Sequence, residues 1–208
     1  MPPHVQTFSL GRARVSVINI GDIQLPLAEH LNVPTERPGE APELGAVRAQ
    51  RRLPMQNVLV ELPRATVLID AGHCGAVTPE TVYAIPGYAP PPPLLAQLDA
   101  LGVAAGSVDH VVITHRHWDH FNGTTRPEGD GRVPSFPNAR HHLGAADWDK
   151  AVQAMAAAPD AIEHGTLGVL HAHGLLNAVA GRLDLGCGVE IVPAPGETVG
   201  HQVARVAC

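Results

Sequence analysis

Four side chains of the kinds that bind metal ions lie within six residues: His115, His117, Asp119 and His120. They belong to the stretch ITHRHWDHFNG, which follows an apolar run and ends at Gly123. Neutral imidazole suits zinc, iron, nickel or copper, and a neighbouring carboxylate suits a hard or borderline divalent ion. The spacing therefore predicts a divalent-cation site rather than an ordinary polar loop.

The spacing also divides these side chains into two groups. In an extended segment His115, His117 and Asp119 point the same way, whereas His120 points elsewhere. This pattern predicts two adjacent clusters, one from His115 and His117 and the other from Asp119 and His120. Because a bound metal lowers the pKa of its water to about 7, such a site can supply a nucleophile for hydrolysis.

The elements that must position this site are predicted on its N-terminal side. Residues 65–70 and 109–114 are apolar strands, and LLAQLDALGV, starting at residue 94, is a helix stopped by Gly102. This strand–helix–strand order implies parallel pairing. Residues 57–62 pair with 65–70 in a hairpin through a tight turn. Asp70 then lies at a strand end before a glycine, where it either takes part in the site or initiates a turn.

The remaining elements are read from apolar periodicity and from breaks at proline and glycine. We expect strands at 13–20, 138–143 and 188–193, a short strand within 181–187, and a last strand that begins over residues 201–207. Helices are expected over 144–158 and 160–178, and loops over 22–56, 75–93 and 124–137.

Several motifs resemble one known family. HRHWDH is similar to the HxHxDH signature of the metallo-β-lactamase-fold hydrolases. TVLIDAGH, FPNARHHLGAADW and PAPGETVGHQ resemble later or earlier segments of the same fold, so that the likeness covers about residues 13–208. The resemblance implies a single α/β domain over residues 1–208, built as an αββα sandwich. It also implies one or two metal ions, usually zinc with iron or manganese as alternatives, and hydrolysis at the C-terminal edges of the strands.

Residue roles follow from the resemblance position by position. His115 and His117 would hold the first metal ion, and Asp119 and His120 would belong to the second. Asp119 would also orient the water or pass a proton to the leaving group. Asp70 would support the loop that carries these four residues without binding an ion itself.

The sequence departs from the family pattern at Glu197. The family's PGHxxGH motif donates its first histidine to the first metal, and here that position is Glu197, while the second histidine is His201. Two histidines with one glutamate form a known catalytic zinc set. Three alternatives remain open: Glu197 binds the metal, His201 reaches it instead from its supporting position, or neither does.

A second departure concerns ligands that the family supplies late in its chain. A bridging aspartate and one more histidine are implied by the resemblance, and the sequence after His201 offers neither. We therefore expect a chain truncated at its C-terminus, with the second half of the sandwich incomplete. It would be either a fragment or a shortened form that relies on one metal ion or on another chain. The exposed apolar surface would favour association, for example as a homo-oligomer. The alternative to an enzyme is a metal-binding but catalytically incompetent remnant.

The composition and charge of the chain limit the kinds of molecule that we expect it to bind. Hydrophobic residues make up 45% and charged residues 16% of the 208 residues, which is typical of a globular protein. A net charge of −6 and the lack of a basic run argue against nucleic acid. Because no signal peptide or membrane span is visible, we expect a cytoplasmic protein without a membrane partner. The expected substrate is a small organic ester, lactone or similar molecule, held in a mostly apolar pocket shaped by the Pro-rich loops 22–56 and 75–93.

Overall fold

A computed structural model describes residues 4–26, 50–72 and 91–207. Twelve strands are described within these residues: β1 (Val5–Leu10), β2 (Ala13–Pro26), β3 (Gln50–Leu62), β4 (Ala65–Ile69), β5 (His110–Val112), β6 (Thr125–Glu128), β7 (Gly131–Pro134), β8 (Arg140–Gly144), β9 (Leu176–Val179), β10 (Leu183–Asp184), β11 (Val189–Pro193) and β12 (Gln202–Val206). The helices are α1 (Leu94–Ala100), α2 (Trp118–Phe121), α3 (Ala145–Ala157) and α4 (Leu167–Ala172), with 3-10 turns at Ala105–Ser107 and Asn122–Thr124.

The strands form one large mixed sheet and two small antiparallel ones. The large sheet has the order β1-β2-β3-β4-β5-β8-β9, in which β1 to β4 pair antiparallel and β4, β5, β8 and β9 pair parallel. The second sheet has the order β10-β11-β12, and β6 and β7 form a separate hairpin. The carboxyl ends of the parallel strands therefore meet at one edge of the large sheet.

The central strands of the large sheet are buried on both faces, because their successive side chains alternate between two cores. Leu59 and Leu68 belong to the core under α1, α3 and α4, whereas their neighbours Val60 and Val67 belong to the core against β10-β11-β12. Fully burying each such aliphatic side chain contributes about 1.5–3 kcal/mol. The described residues thus build three layers of the αββα sandwich: helices, large sheet and small sheet.

Most elements expected from the sequence are confirmed. The β3–β4 hairpin, the parallel β4–α1–β5 unit and the helix α3 lie where periodicity placed them. The strands β8, β10, β11 and β12 also agree with their predicted positions to within a few residues. The segments with the strongest apolar periodicity, such as β4 and α1, are therefore among those that the structure confirms.

Three expectations about loops and helices were wrong. Residues 22–26 and 50–56 extend β2 and β3, because the two strands pair with each other far beyond their neighbours despite their prolines. Residues 124–137 contain the β6–β7 hairpin, whose polar strands lack the apolar alternation that indicates a strand. The helix expected over 160–178 is reduced to α4, since Gly174 (φ +68°) ends it and Leu176–Val179 pair with β8.

The outer parts of the two Pro-rich loops, residues 27–49 and 73–90, lie outside the described residues. Their predicted role as pocket walls stays a prediction. Among the helices that are described, none is long and apolar enough to cross a membrane.

We expect the folded protein to lose stability in mild acid, because two histidines on β8 are buried. Burial lowers the pKa of His141 to about 4, and the backbone at Ala139 offsets only part of this shift. Burial, then the charges of His110, Arg140 and His141, lowers the pKa of His142 to about 3. Because the unfolded chain takes up these protons near pH 6.5, the free energy of unfolding falls as the pH drops below that value.

We expect His141 alone to account for about 2 kcal/mol of this loss between pH 7 and pH 5. Urea unfolding of the metal-free protein at both pH values measures it, and His141→Leu should lose less stability than the parent. His173→Ala, at an exposed histidine, is the control and should keep the parent's pH dependence. An equal pH dependence in His141→Leu and parent would contradict the assignment.

Candidate metal site

Residues 113–123, here called the metal loop, follow the carboxyl end of β5. Backbone hydrogen bonds join this loop to the turn that ends β4. Asp70 N–H donates to Val112 O (2.8 Å), and Ala71 N–H donates to His120 O (2.9 Å). Gly123 N–H donates to Gly72 O (2.9 Å), which closes the loop. The turn and the loop therefore form one hydrogen-bonded unit at the sheet edge.

Two residues of this turn adopt left-handed backbone conformations. Gly72 has φ +58°, and a Cβ there would lie 2.0 Å from Cδ1 of Ile20, so only glycine fits. Asp70 also has φ +58°, which is uncommon for a residue with a side chain. This backbone conformation is maintained by the contacts of the Asp70 carboxylate.

The Asp70 carboxylate is buried and accepts three hydrogen bonds. Thr114 donates its N–H (2.7 Å) and its hydroxyl (2.9 Å), and His120 donates Nδ1–H (2.8 Å). Because the Thr114 hydroxyl already donates to Asp70, it accepts from Nδ1–H of His115 at 3.1 Å. These bonds assign the proton of both histidines to Nδ1 and leave Nε2 of each as a metal-binding atom.

His115, His117 and Glu197 form a group that can hold one metal ion. Their candidate ligand atoms all lie within 4.8 Å of one another. His115 Nε2 is 3.1 Å from His117 Nδ1, and His117 Nδ1 is 3.5 Å from Glu197 Oε1. Ligands about 2.0–2.1 Å from a tetrahedral zinc ion are about 3.3 Å apart. The donor types and both distances therefore fit zinc.

Asp119 and His120 lie beside this group, as the predicted second pair. Asp119 Oδ2 is 3.6 Å from His120 Nε2, and the rings of His120 and His115 are 3.9 Å apart between centroids. A carboxylate oxygen and an imidazole nitrogen at this separation can share a second ion. The structure thus brings together all four side chains of the sequence motif.

His201 stays at the border of the site. Its Nδ1–H donates to Ala194 O (2.8 Å), and its ring lies 5.2 Å from that of His115 between centroids. Within the described residues, the three-ligand group includes Glu197 and does not include His201. Of the three alternatives left open by the sequence, this geometry favours Glu197.

Residues 194–201, here called the Glu197 segment, connect β11 to β12 of the small sheet. Gln202, at the start of β12, is buried; its N–H donates to Thr114 O (2.8 Å), and its Nε2 donates to Ile113 O (2.9 Å) and His142 O (3.0 Å). The two sheets are therefore joined at the ends of β5 and β8.

The electrostatic surroundings of the neighbouring His115 and His120 differ. Burial, followed by the charges of His120, His117 and His201, lowers the pKa of His115 to about 3, so its Nε2 lone pair is available at neutral pH. Burial also acts to lower the pKa of His120, but the hydrogen bond and charge of Asp70, with Asp119 and Glu197, raise it overall. A cation bound here would replace a proton at His120 and balance the surrounding carboxylates.

Thr114, which links Asp70 to His115, is a contributor that the motif did not indicate. Its only signal in the sequence is that it is a polar residue at the end of an apolar strand. His141 and His142 are both buried in β8, and His142 contacts His110 Nδ1 (3.1 Å) and Asn177 Nδ2 (3.0 Å) rather than the site.

Comparison with known proteins identifies the family. The family model described as the metallo-beta-lactamase superfamily matches residues 55–203, which is most of the chain. The chain belongs to the metallo-beta-lactamase superfamily.

Relatives and solved structures agree with this membership. Probable metallo-hydrolases of Mycobacterium tuberculosis and Mycobacterium bovis are 31% identical over 170 residues, covering 72% of this chain and 51% of their own. The chain thus spans about half the length of these curated relatives. A probable metal-dependent hydrolase from Staphylococcus aureus superposes with a TM-score of 0.71 at 17% identity, over 96% of this chain and 70% of that one. The dizinc quorum-quenching lactonase AidC gives 0.68 at 18%, over 98% and 70%. At these identities the likeness shows the shared fold alone.

Replacing Asp70 should change the tautomer of His120, because the Asp70 carboxylate accepts the His120 Nδ1–H. Asp70→Asn keeps an oxygen for Thr114 N–H and tolerates the left-handed backbone, but its amide N–H faces His120 Nδ1. The His120 proton then moves to Nε2 and blocks that atom. We expect zinc affinity to fall about 10- to 100-fold and ¹⁵N NMR of the metal-free protein to show the Nε2–H tautomer.

Asp119→Asn serves as the matched control, because Asp119 does not contact His120 Nδ1. It should leave the His120 tautomer unchanged. An unchanged tautomer in Asp70→Asn as well would contradict the role assigned to Asp70.

Proposed function

We propose that this chain is a metal-dependent hydrolase that cleaves a small organic substrate with an activated water. The observation that carries the proposal is the convergence of His115, His117 and Glu197, whose ligand atoms lie within 4.8 Å of one another beside Asp119 and His120. When bound, one or two divalent ions supply Lewis acidity and a water that is nucleophilic at neutral pH. The donor set favours zinc, with iron or manganese as alternatives.

The protein's own groups have distinct roles in this proposal. The side chain of Asp119 is partly exposed and lies beside His120, so its carboxylate can orient the attacking water and take up or return a proton. Asp70 and Thr114 hold His115 and His120 with Nε2 directed away from their hydrogen-bonded Nδ1 atoms. The buried imidazole of His115 stays neutral, and Glu197 adds a negative charge that lowers the electrophilicity of the ion.

The proposed substrate class is an ester or lactone. AidC is described in complex with a product, an N-acyl-homoserine, which makes a lactone a reasonable first substrate to test.

Metal content and turnover test the proposal together. The parent should bind one or two zinc ions per chain and hydrolyse members of an aryl ester and lactone panel. His117→Ala removes an exposed ligand and should lower kcat/KM by about 100-fold or more, because the nucleophile depends on the ion. His173→Ala, at an exposed histidine, is the control and should keep metal and activity. Zinc binding without turnover would favour the metal-binding, inactive alternative, and absence of bound metal would contradict both.

Replacing Glu197 tests its role as the third ligand. Glu197→Ala should weaken zinc binding by about tenfold or more, whereas Glu197→His supplies a nitrogen ligand and should restore most of it. Competition with a chromophoric chelator measures the affinities. Glu190→Ala, which removes a carboxylate paired with Arg205 on the small sheet, should have no effect. Parent-like affinity in Glu197→Ala would assign the third position to His201 or to no residue.

A further inference from the structure

Asp147 is a buried carboxylate far in sequence from the metal-binding motif, yet every hydrogen bond described for it reaches a segment that carries candidate ligands. It lies in the first turn of α3 and is 1% exposed. Oδ2 accepts from Arg116 N–H (2.9 Å) and from the Thr198 hydroxyl (2.6 Å), and Oδ1 accepts from Gly200 N–H (2.9 Å). Arg116 lies between His115 and His117, and Thr198 follows Glu197.

An ordinary helix-capping role does not explain these bonds. An acidic residue in the first turn of a helix normally satisfies the exposed N–H groups of that turn. No side chain caps the N-terminus of α3, which begins after Gly144. The carboxylate instead accepts all three bonds from outside its own helix. Three donors also offset the large cost of burying a carboxylate.

Close packing brings the Glu197 segment against the same helix terminus. A Cβ on Gly200 would lie 2.5 Å from Asp147 N and 2.8 Å from its Cβ, and a Cβ on Gly144 would lie 2.0 Å from Gly200 O. Only glycines at both positions permit this approach. The Arg116 guanidinium also pairs with the buried carboxylate of Glu163, which lies between α3 and α4, at 2.5 Å. Through Asp147, the metal loop and the Glu197 segment are both anchored at α3.

This anchoring matters because two of the three candidate ligands, His117 and Glu197, are exposed. The side chains of His117 and Glu197 are 47% and 58% exposed, and their nearest atoms are 3.5 Å apart. Exposed side chains on surface loops have little packing of their own to hold that distance. Their spacing must be set by the backbone segments from which they project.

We propose that Asp147 is a positioning residue that joins the His115–His117 loop to the Glu197 segment and sets the spacing of the three ligands. We call its three hydrogen bonds, from Arg116, Thr198 and Gly200, the Asp147 bridge. The proposal rests on the metal site of the proposed function and extends it to residues that bind no metal. Metal affinity then depends on the bridge only while Glu197 is a ligand.

Thr198 provides the test with the least risk to folding. Thr198→Val keeps the shape of the side chain and removes the hydroxyl, whereas Thr198→Ser keeps the hydroxyl. In zinc titrations of the full chain against a chromophoric chelator, Thr198→Val should bind about tenfold more weakly. Thr198→Ser should stay within about twofold of the parent. Equal affinity of the Val and Ser variants would overturn the proposal.

A double-mutant cycle with Glu197→Ala separates positioning from general destabilisation. If the bridge acts through Glu197, adding Thr198→Val to Glu197→Ala should change zinc affinity by less than about twofold. An additive loss in the double variant would mean that Thr198 supports the fold and not the ligand, and would overturn the proposal.

Asp147→Asn gives a second, metal-independent measurement. Its amide oxygen can still accept from Arg116 and Thr198, while its N–H₂ group meets the Gly200 N–H. Amide hydrogen exchange in the metal-free protein should accelerate at Gly200 more than at Arg116, and equal rates in variant and parent would contradict the bridge. Because turnover enters none of these measurements, a chain that binds zinc but hydrolyses nothing would contradict the proposed function alone.

Discussion

The carboxylate of Asp70 is the contact on which the geometry of the site depends. It lies where β4 ends, in a left-handed turn, and accepts hydrogen bonds from Thr114 and His120 on the metal loop. Through the Thr114 hydroxyl it also determines the tautomer of His115. One buried charge thereby holds the loop to the sheet edge and directs the nitrogen atoms of two histidines.

The same carboxylate explains why neighbouring imidazoles behave differently. His115 and His120 lie 3.9 Å apart between ring centroids, yet the pKa of His115 is lowered and that of His120 is raised. Burial acts to lower the pKa of both groups. Only His120 bonds directly to Asp70, and that contact raises its pKa. A cluster in which close groups prefer opposite protonation states is suited to a cation that can replace the proton.

The third candidate ligand requires a connection between two sheets. Glu197 follows β11 of the small sheet, whereas His115 and His117 follow β5 of the large one. Gln202 joins the two sheets by bonds to the backbone of Ile113, just after β5, and of His142 in β8. Asp147 joins the two ligand-bearing segments from α3. The layered packing of the cores thus serves the site as well as stability, because it sets the distance between segments some 80 residues apart in sequence.

Much of this arrangement could be predicted without coordinates, for local reasons. Four ligand-type residues after an apolar strand, a strand-end aspartate before glycine, and a strand–helix–strand unit are all encoded by neighbouring residues. They indicated the fold family and the motif side chains. The long β2–β3 pairing, the β6–β7 hairpin and the strand β9 could not be read in this way. Each depends on a partner strand that overrides prolines, polar residues or helical periodicity.

The sequence alone indicated a candidate metal-binding loop after a buried strand, because the types and spacing of His115, His117, Asp119 and His120 are local properties. Only the tertiary structure decided between Glu197 and His201 as the residue that approaches His117, since both lie in one short segment and differ only in where the small sheet and α3 place them. The sequence gives Asp147 a place in the motif FPNARHHLGAADW but no individual role, because its hydrogen bonds reach residues 31, 51 and 53 positions away.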